Sequence, residues 1–524
     1  MKYYPIHTHL HCSHEPTASI GSHISHAKEL GIRHLWTSEH DTRMGKKKID
    51  LSVFRFNEKS LFVKLANGAE AGFREEEGSN GVYSFEQTEK GIALRISTKK
   101  NEKESLLFYS RGKKHCDPLF SKLTVQMEAD IDEQAEIEFV LSAQPPAYQQ
   151  VKMRYVLGEI PQNEDDLVQY LPFPKCENGV YTFPLYRDVA EEIGGLDNAL
   201  CNIRITAKNG AELTFYSFSF KRELEFEEVR QEQKKVARKL ALKEGVAVFV
   251  GFEITGAGNH KNCFSTKVPV IDYEALNYKV SNAQAIEHVK NYGGIFSWNH
   301  PFTEYANLDK NKTDIFEEVA SNLIKNRVYG ASLIEVGFPN GRDGFSAKEY
   351  LRLWDRLSEK GIFITGNGDS DNHHAVADGW VQGNNFCSFA GLYDKEEPRE
   401  ENFVKAFKRG SLWSGNPVLI NNLSFTGNGK EQGNIIRGGQ VCVEFYATGI
   451  KCNGYAVCIS NGTEIKREKI KAGAVSGKWI LENEKAYNFA RLEIYNAENV
   501  LIAFSNPIYL VDERIEIEER NANI

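Results

Sequence analysis

An α/β rhythm that stops and then restarts constrains this chain of 524 residues more than any other feature. Residues 1–44 read as strand, helix, strand. Ile20, Ile24, Ala27 and Leu30 share one helical face, Gly31 ends the helix, and a strand over 32–37 follows. From Asp50 to about Arg222 that rhythm is lost. Short alternating runs at 92–96, 123–127, 137–141, 181–185 and 203–220 are separated by turn pairs such as Asn67-Gly68, Asn80-Gly81 and Asn209-Gly210. That pattern predicts an all-β sandwich of jelly-roll type inserted into a loop. The rhythm returns with a helix over 224–243, stopped by Gly245, and a strand over 246–253. Helices over 282–292, 314–325 and 347–360 then lead into strands over 295–298, 331–336 and 362–366. A last strand, 385–390, precedes a helix over 400–409. Seven strands can be counted, which predicts a βα barrel or an open α/β sheet. Beyond Asn416 the text is β again, with Asn428-Gly429, Asn453-Gly454 and Asn461-Gly462 as turns. The expected domains are therefore 1–49 with 224–415, the insert 50–223, and a small C-terminal β-sandwich over 416–524.

Charge narrows the partners. Lys and Arg number 64 against 72 Asp and Glu, a formal net charge of −8, with no long basic run. A nucleic-acid binder draws its affinity from cationic phosphate contacts, so nucleic acid is not expected as a partner. The mean hydropathy is −0.45, and no stretch is apolar enough to span a bilayer, so no membrane association is expected. The nine cysteines are scattered without a CxxC pair, and Met1 to Pro5 runs into histidines with no apolar leader segment. Both readings fit a reducing cytoplasm. Oligomeric state leaves no mark in the sequence.

Eight of the fourteen histidines fall within the first forty residues. His7-Thr8-His9 lies on the first strand, where residues i and i+2 face one side and can meet one ion. His11 faces that side too. Other ligand-type residues recur where later strands end: Glu39-His40-Asp41, Gly251-Phe252-Glu253, Asn299-His300-Pro301, Ile334-Glu335-Val336, and Gly368-Asp369-Ser370-Asp371-Asn372-His373-His374. In a βα barrel those ends converge on one face. Imidazoles with bridging carboxylates suit zinc, iron or manganese, and several ions rather than one.

In order along the chain, His7-Thr8-His9 with Ser13, Glu39-His40-Asp41, Gly251-Phe252-Glu253, His300-Pro301 and Gly368-Asp369-Ser370-Asp371-Asn372-His373 resemble the motifs of the PHP (polymerase and histidinol phosphatase) superfamily. Glu253-Ile254-Thr255 with Gly258-Asn259-His260-Lys261-Asn262, and the late Ser505-Asn506-Pro507-Ile508-Tyr509, further resemble its CehA/McbA-like metallohydrolase branch. The resemblance covers 1–44 and about 241–415. It implies a distorted (β/α)7, TIM-like barrel that holds two or three divalent ions (Zn, Mn or Fe) and hydrolyses phosphoesters. Carried over, it implies that His7, His9, Glu253 and Asp371 hold one ion. Glu253 would bridge to a second ion on His300, and His40, His373 and His14 would hold a third, with Glu15 as the competitor of His14. Glu335 aligns with a position that either carries a ligand or orients a ligand histidine. An amidohydrolase barrel also opens with HxH, but its bridging lysine is a glutamate here.

Around such a centre, His260 is a candidate proton donor or substrate contact. Arg43 and Arg342 are candidate anion clamps. Asp41, Asp369 and Ser13 are candidates for fixing imidazole tautomers. The expected substrate is a small phosphoester or a glycan-derived molecule. The alternatives are cleavage of a carboxyl ester, carbamate, amide or glycoside by the same centre, and a non-catalytic metal-stabilised scaffold that binds carbohydrate or a partner. In the insert, Tyr148, Tyr155, Tyr170 and Phe173 are placed either to stack a sugar or to fill the core.

Overall fold

The structure is a computed structural model. It describes the chain except 13–19, 45–52, 65–69, 111–123, 132–134, 143–150, 163–167, 186, 189–198, 222–223, 274, 278, 306–309, 374–385, 484 and 516–524. Strands take up 46% of the described residues and helices 21%. No described helix is long and apolar enough to cross a membrane.

The motif-bearing residues sit on one large sheet. Its strands here are β1 (Lys2–Leu10), β2 (His34–His40), β3 (Ala247–Ile254), β4 (Lys261–Phe264), β5 (Ile295–Trp298), β6 (Leu333–Gly337), β7 (Thr365–Gly368), β8 (Cys387–Leu392) and β9 (Leu412–Gly415). They pair in the order β7-β6-β5-β4-β3-β2-β1-β8-β9, and the sheet continues into the C-terminal strands Leu501–Ser505, Tyr487–Asn496, Gly454–Ser460 and Thr463–Ile470.

This corrects the expectation of a (β/α)7 barrel. The β1–β2, β2–β3, β5–β6 and β6–β7 pairs are parallel, but β3–β4, β4–β5, β1–β8 and β8–β9 are antiparallel. Among the described residues β7 pairs in a ladder only with β6, and no ladder closes the sheet on itself. One physical reason is β4. Its four residues Lys-Asn-Cys-Phe carry no strand signature, yet they run back along Phe252–Ile254 and break the parallel order. The other reason is the β content on either side of the α/β segments.

The free edge of β7 is satisfied by side chains instead. Asn506 Oδ1 accepts from Gly366 N at 2.9 Å, and its Nδ2 donates back to Gly366 O at 2.8 Å. Ser388 Oγ accepts from Gly368 N at 3.3 Å and donates to Gly368 O at 3.2 Å. An edge that would otherwise present bare N–H and C=O groups is thereby blunted. Gly337 and Gly368 let β6 and β7 approach closely, since a Cβ on Gly337 would lie 2.4 Å from Gly368 Cα.

Helices cover the sheet through apolar faces. Ser281 and Ser346 close capping boxes with Gln284 and Glu349 at the starts of α4 (Asn282–Asn291) and α6 (Ala347–Ser358); α1 (Ile20–Glu29), α2 (Asp41–Met44), α3 (Phe226–Glu244) and α5 (Lys312–Lys325) complete the set before α7 (Glu400–Arg409). One hydrophobic core runs from Leu10 through Phe252, Trp298 and Trp354 to Phe504 and Val511. The expected boundary at 416 is therefore no break in the packing. The C-terminal part adds a four-stranded sheet built on Asn422–Gly427, Gln440–Ile450 and Gly473–Glu482.

Between Val53 and Lys221 the chain forms two further sheets, each of seven strands. They share a core of their own, in which Phe54, Phe73, Phe108, Phe215 and Phe218 pack ring against ring. Met153, Tyr155 and Phe183 belong to that core, so Tyr155 is a packing residue at its ring.

A buried charge network ties the C-terminal strands to α6. Arg491, 2% exposed, forks onto Asp355 at 2.8 and 3.0 Å and also pairs with Glu493, which accepts from Tyr495 Oη at 2.6 Å. Removing one partner leaves the others charged and dry, a loss of about 3–5 kcal/mol. Arg491→Ala is therefore expected to lower the denaturation midpoint of the main body markedly. The triple variant Arg491→Met with Asp355→Leu and Glu493→Gln, which leaves no buried charge of the network behind, should recover much of that loss, as read by chemical denaturation.

Candidate metal centre

β1 enters the core from its middle onward, and His7, His9 and His11 alternate with Thr8 and Leu10. The structure places His9 and His11 at the centre of a cluster and leaves His7 behind it. His7 Nε2 meets Ser370 Oγ at 2.8 Å and, among the described residues, joins none of the groupings of His, Asp and Glu that could hold an ion. Three histidines at alternate positions make two overlapping HxH pairs, and spacing alone does not choose between them. The pair that converges is His9-Leu10-His11.

Glu253, at the end of β3 and fully buried, is the hub. Among the described residues five imidazoles approach its carboxylate: His9 Nε2 at 3.4 Å, His11 Nε2 at 3.8 Å, His40 Nδ1 at 2.8 Å, His260 Nδ1 at 3.2 Å and His300 Nε2 at 3.4 Å. Asn299 Nδ2 donates to Glu253 Oε1 at 2.7 Å. Asp371 closes the other side, its Oδ1 lying 3.1 Å from His9 Nε2 and 3.0 Å from His11 Nε2. His373 Nε2 stands 3.3 Å from His40 Nε2.

Two of these residues have left-handed backbone, His300 at φ 21° and Asp371 at φ 47°. Neither is glycine, and such conformations cost roughly 1–3 kcal/mol each. His300 lies two residues past the end of β5 and Asp371 three past the end of β7, so both stand just beyond short strands.

Supporting residues hold the ring in place. Glu335 accepts from His9 Nδ1 at 2.7 Å and from His300 N at 2.9 Å, so it orients two members of the cluster at once. His23 Nε2 reaches His11 O at 2.8 Å. Asp41 does not touch an imidazole; it accepts from Thr255 N at 2.9 Å and Tyr273 Oη at 2.6 Å, pinning the loop beyond Glu253. Asp369 accepts from Thr8 Oγ1 at 3.1 Å and Asn367 Nδ2 at 2.8 Å. Lys261 is buried and donates to Ala257 O at 3.2 Å and to Asn259 O, which shapes the loop that presents His260.

The charges sort themselves within this dry site. Burial alone would raise the Glu253 carboxyl, but His260 and His9 reverse that and hold it well below the usual carboxylate range. Burial opposes charge on His9 as well, and Asp371, Glu335 and Glu253 override it, so its pKa is raised. Asp371 is held down against burial by Arg342 and His9. Asp369 goes the other way: burial, with Glu335 nearby, pushes it well up. Burial and the neighbouring His40 and His373 keep His11 well below the ordinary imidazole value, so its ring is poised neutral.

A neutral imidazole has a lone pair to offer, and the spacing suits a cation. Ligand atoms around a tetrahedral ion with bonds of about 2.0–2.1 Å stand about 3.3 Å from one another. The His9–His11, His9–Asp371, His11–Asp371 and His40–His373 separations are 3.1, 3.1, 3.0 and 3.3 Å. Two imidazole nitrogens facing each other at such distances need a shared proton or a cation between them. His11 Nδ1 is moreover buried without a hydrogen-bond partner among the described residues. The donor set thus fits divalent transition ions. Among the described residues, four overlapping groupings bring their ligand atoms within 4.8 Å of one another: His11–His40–His373, His9–His11–Glu253, His40–Glu253–His260 and His9–Glu335–Asp369.

Of the residues singled out in the sequence, His9, His40, Glu253, His260, His300, Glu335, Asp371 and His373 come together here, and His7 stands one step back. Ser13, His14, Glu15 and His374 lie outside the described residues, as does the side chain of Arg43. Arg342 is on the site: its guanidinium pairs with Asp371 and, at 3.5 Å, with Asp343. Asn299, Asn262, whose Nδ2 donates to Glu335 Oε1 at 3.4 Å, and Ser370 lie inside the motifs but were given no role there. Strand parity was the available signal for His11.

No protein-family model matches this chain, and no curated protein does. Among solved structures, matches include TmCBM61 in complex with β-1,4-galactotriose, at 8% identity over 29% of this chain and 88% of that one, with a TM-score of 0.16. A family 11 carbohydrate-binding module from Clostridium thermocellum, in complex with a β-1,3-1,4-mixed-linked tetrasaccharide, matches at 13% identity over 33% of this chain and 97% of that one, TM-score 0.19. The glycoside hydrolase domain of Endo-D from Streptococcus pneumoniae matches at 9% identity over 29% of this chain and 21% of that one, TM-score 0.18. Likenesses at such scores carry no inference about what this chain binds or does.

The convergence of His9 with His11, rather than His7, has a direct consequence. His11→Asn is expected to cut zinc affinity by a factor of ten or more, about 1.4 kcal/mol, in a competitive chelator titration. His7→Asn should leave it within about threefold.

Proposed function

We propose that this chain is a metal-dependent hydrolase of PHP-like type, with a phosphoester as the bond it cleaves. The observation that supports the reading is the ring of five imidazoles around the buried Glu253 carboxylate, with Asp371 and His373 completing it. Such a constellation is expensive to bury for structural reasons alone, because Glu253, Asp371, His9 and His11 at its centre are desolvated. The phosphoester assignment comes from the ordered motif resemblance.

Divalent ions held at this cluster would make a water acidic enough to attack at neutral pH and would neutralise charge on the substrate's oxygens. The chain's own residues supply the rest. His9, His11, His40, His300 and His373 offer the nitrogen donors, and Glu253 and Asp371 the carboxylate oxygens. Glu335 and Asn299 keep donors from swinging away. Of the five imidazoles around Glu253, His260 is the most exposed, its side chain at 32%, so it is the one a substrate reaches first. Its role is to hand a proton to the leaving-group oxygen. Arg342, a quarter exposed beside Asp371, offers planar donors to an anionic substrate.

The test is chemical. Protein purified without chelator and loaded with Zn, Mn or Fe is assayed against phosphomonoesters, phosphodiesters and aryl carboxyl esters. The expected result is metal-dependent turnover of a phosphoester. Glu253→Gln should abolish it and lower bound metal, whereas His260→Asn should slow turnover by about 100-fold or more with metal content retained. Turnover undiminished in Glu253→Gln, or turnover of carboxyl esters alone, would overturn the reading.

A further inference from the structure

One carboxylate of the cluster has its two oxygens engaged by different kinds of partner. Asp371 Oδ1 lies 3.1 Å from His9 Nε2 and 3.0 Å from His11 Nε2, facing the two imidazoles that would share an ion with it. Asp371 Oδ2 pairs with Arg342 Nη1 and stands 3.8 Å from His300 Nε2. The Asp371 side chain is 2% exposed, so it has little water to turn towards.

Arg342 is held in place by the turn that carries it. Asp343 and Gly344 both have left-handed backbone, at φ 53° and 81°, and across them Arg342 and Phe345 exchange reciprocal backbone hydrogen bonds of 2.8 Å. This is a two-residue hairpin turn whose central residues both need positive φ. Phe345 stacks on Phe302 with ring centroids 4.0 Å apart, which fastens the turn to the segment just after His300. The Arg342 guanidinium lies over the Phe338 ring at 5.5 Å, and its Nε stands 3.5 Å from Asp343 Oδ2. Asp343 in turn accepts from Thr303 Oγ1. A fork fixed on three sides in this way has little freedom to leave Asp371.

We infer that Arg342 is a positioning residue for the metal centre: it holds Asp371 Oδ2, so the carboxylate gives an ion one oxygen rather than two. The inference rests on the reading of the cluster as a metal centre and is independent of which bond is cleaved. A one-oxygen carboxylate beside converging imidazoles suits zinc, whose ligands are few and close. Manganese favours oxygen-rich sites, and a carboxylate free to chelate with both oxygens would suit it better. Arg342 thus biases the centre toward zinc over manganese. Its charge acts differently, since a guanidinium this near disfavours either divalent cation. The ratio of the two affinities therefore reports the oxygen geometry rather than the charge.

The experiment is a competitive chelator titration of the whole chain, stripped of metal and reloaded with zinc or with manganese. The ratio of zinc to manganese affinity is expected to fall by about tenfold or more in Arg342→Met, which keeps an aliphatic stem on Phe338. Arg342→Lys can still offer one N–H to Oδ2 and should bring the ratio back to within about threefold of the wild-type value. A merely structural role would lower both affinities together and leave the ratio alone. A crystal structure of the zinc-loaded wild type tests the geometry without any variant: Asp371 Oδ1 is expected on an ion and Oδ2 on Arg342. The inference is overturned if the ratio is unchanged in Arg342→Met, if Arg342→Lys shifts it as far as the methionine does, or if both Asp371 oxygens are found on ions. Wild-type protein that binds neither metal would overturn the metal-centre reading itself, and this inference with it.

Discussion

A carboxylate with no access to water, Glu253, lies beneath five imidazoles, and much of the architecture exists to keep it there. Leaving a charge unpaired in such a place would cost several kcal/mol, and its neighbours are brought in from several strand ends to within 3.8 Å. β1 delivers His9 and His11, β2 delivers His40, and the loop from β3 to β4 returns His260. His300 and Asp371 arrive through left-handed turns after β5 and β7. The backbone strain at those two residues is sustained because the surrounding contacts over-determine them: Glu335 grips His300 N, and Arg342 grips Asp371.

The second dependence is on the C-terminal strands. β7 leads into the segment with Asp371 and His373, yet among the described residues only one of its edges pairs in a ladder. Asn506 and Ser388 complete the other edge with four side-chain hydrogen bonds to Gly366 and Gly368. Arg491 locks the neighbouring strand to α6 through Asp355. The C-terminal segment is therefore part of the scaffold that aims the cluster, which is why its core is continuous with the rest.

The strand ends that bear chemistry were legible in the sequence because polar residues in apolar strands stand out: Glu253, His40, His300, Glu335, Asp371 and His373 all converge. The choice between His7 and His11 was not legible, since both share parity with His9 and both are fully buried; their partners separate them. The closed barrel failed for a similar reason. Helix–strand alternation reports which segments are strands but not their direction, and β4, with Lys261 and Asn262 among its four residues, resembles a loop until Cys263 and Phe264 are seen to pair with Phe252 and with β5. The aromatic content of the insert read equally as core or sugar platform; Tyr155 and Phe183 prove to be core, and Phe173 packs partly buried against them.

The central claim is that the cluster around Glu253 exists to hold metal ions. Anomalous diffraction from crystals of metal-replete protein, collected above and below the zinc, iron and manganese edges, tests it most directly. The account expects at least two anomalous peaks in contact with Glu253, one of them bounded by His9, His11 and Asp371. Well-ordered density for these side chains with no anomalous peak among them, in protein soaked with each metal, would contradict it.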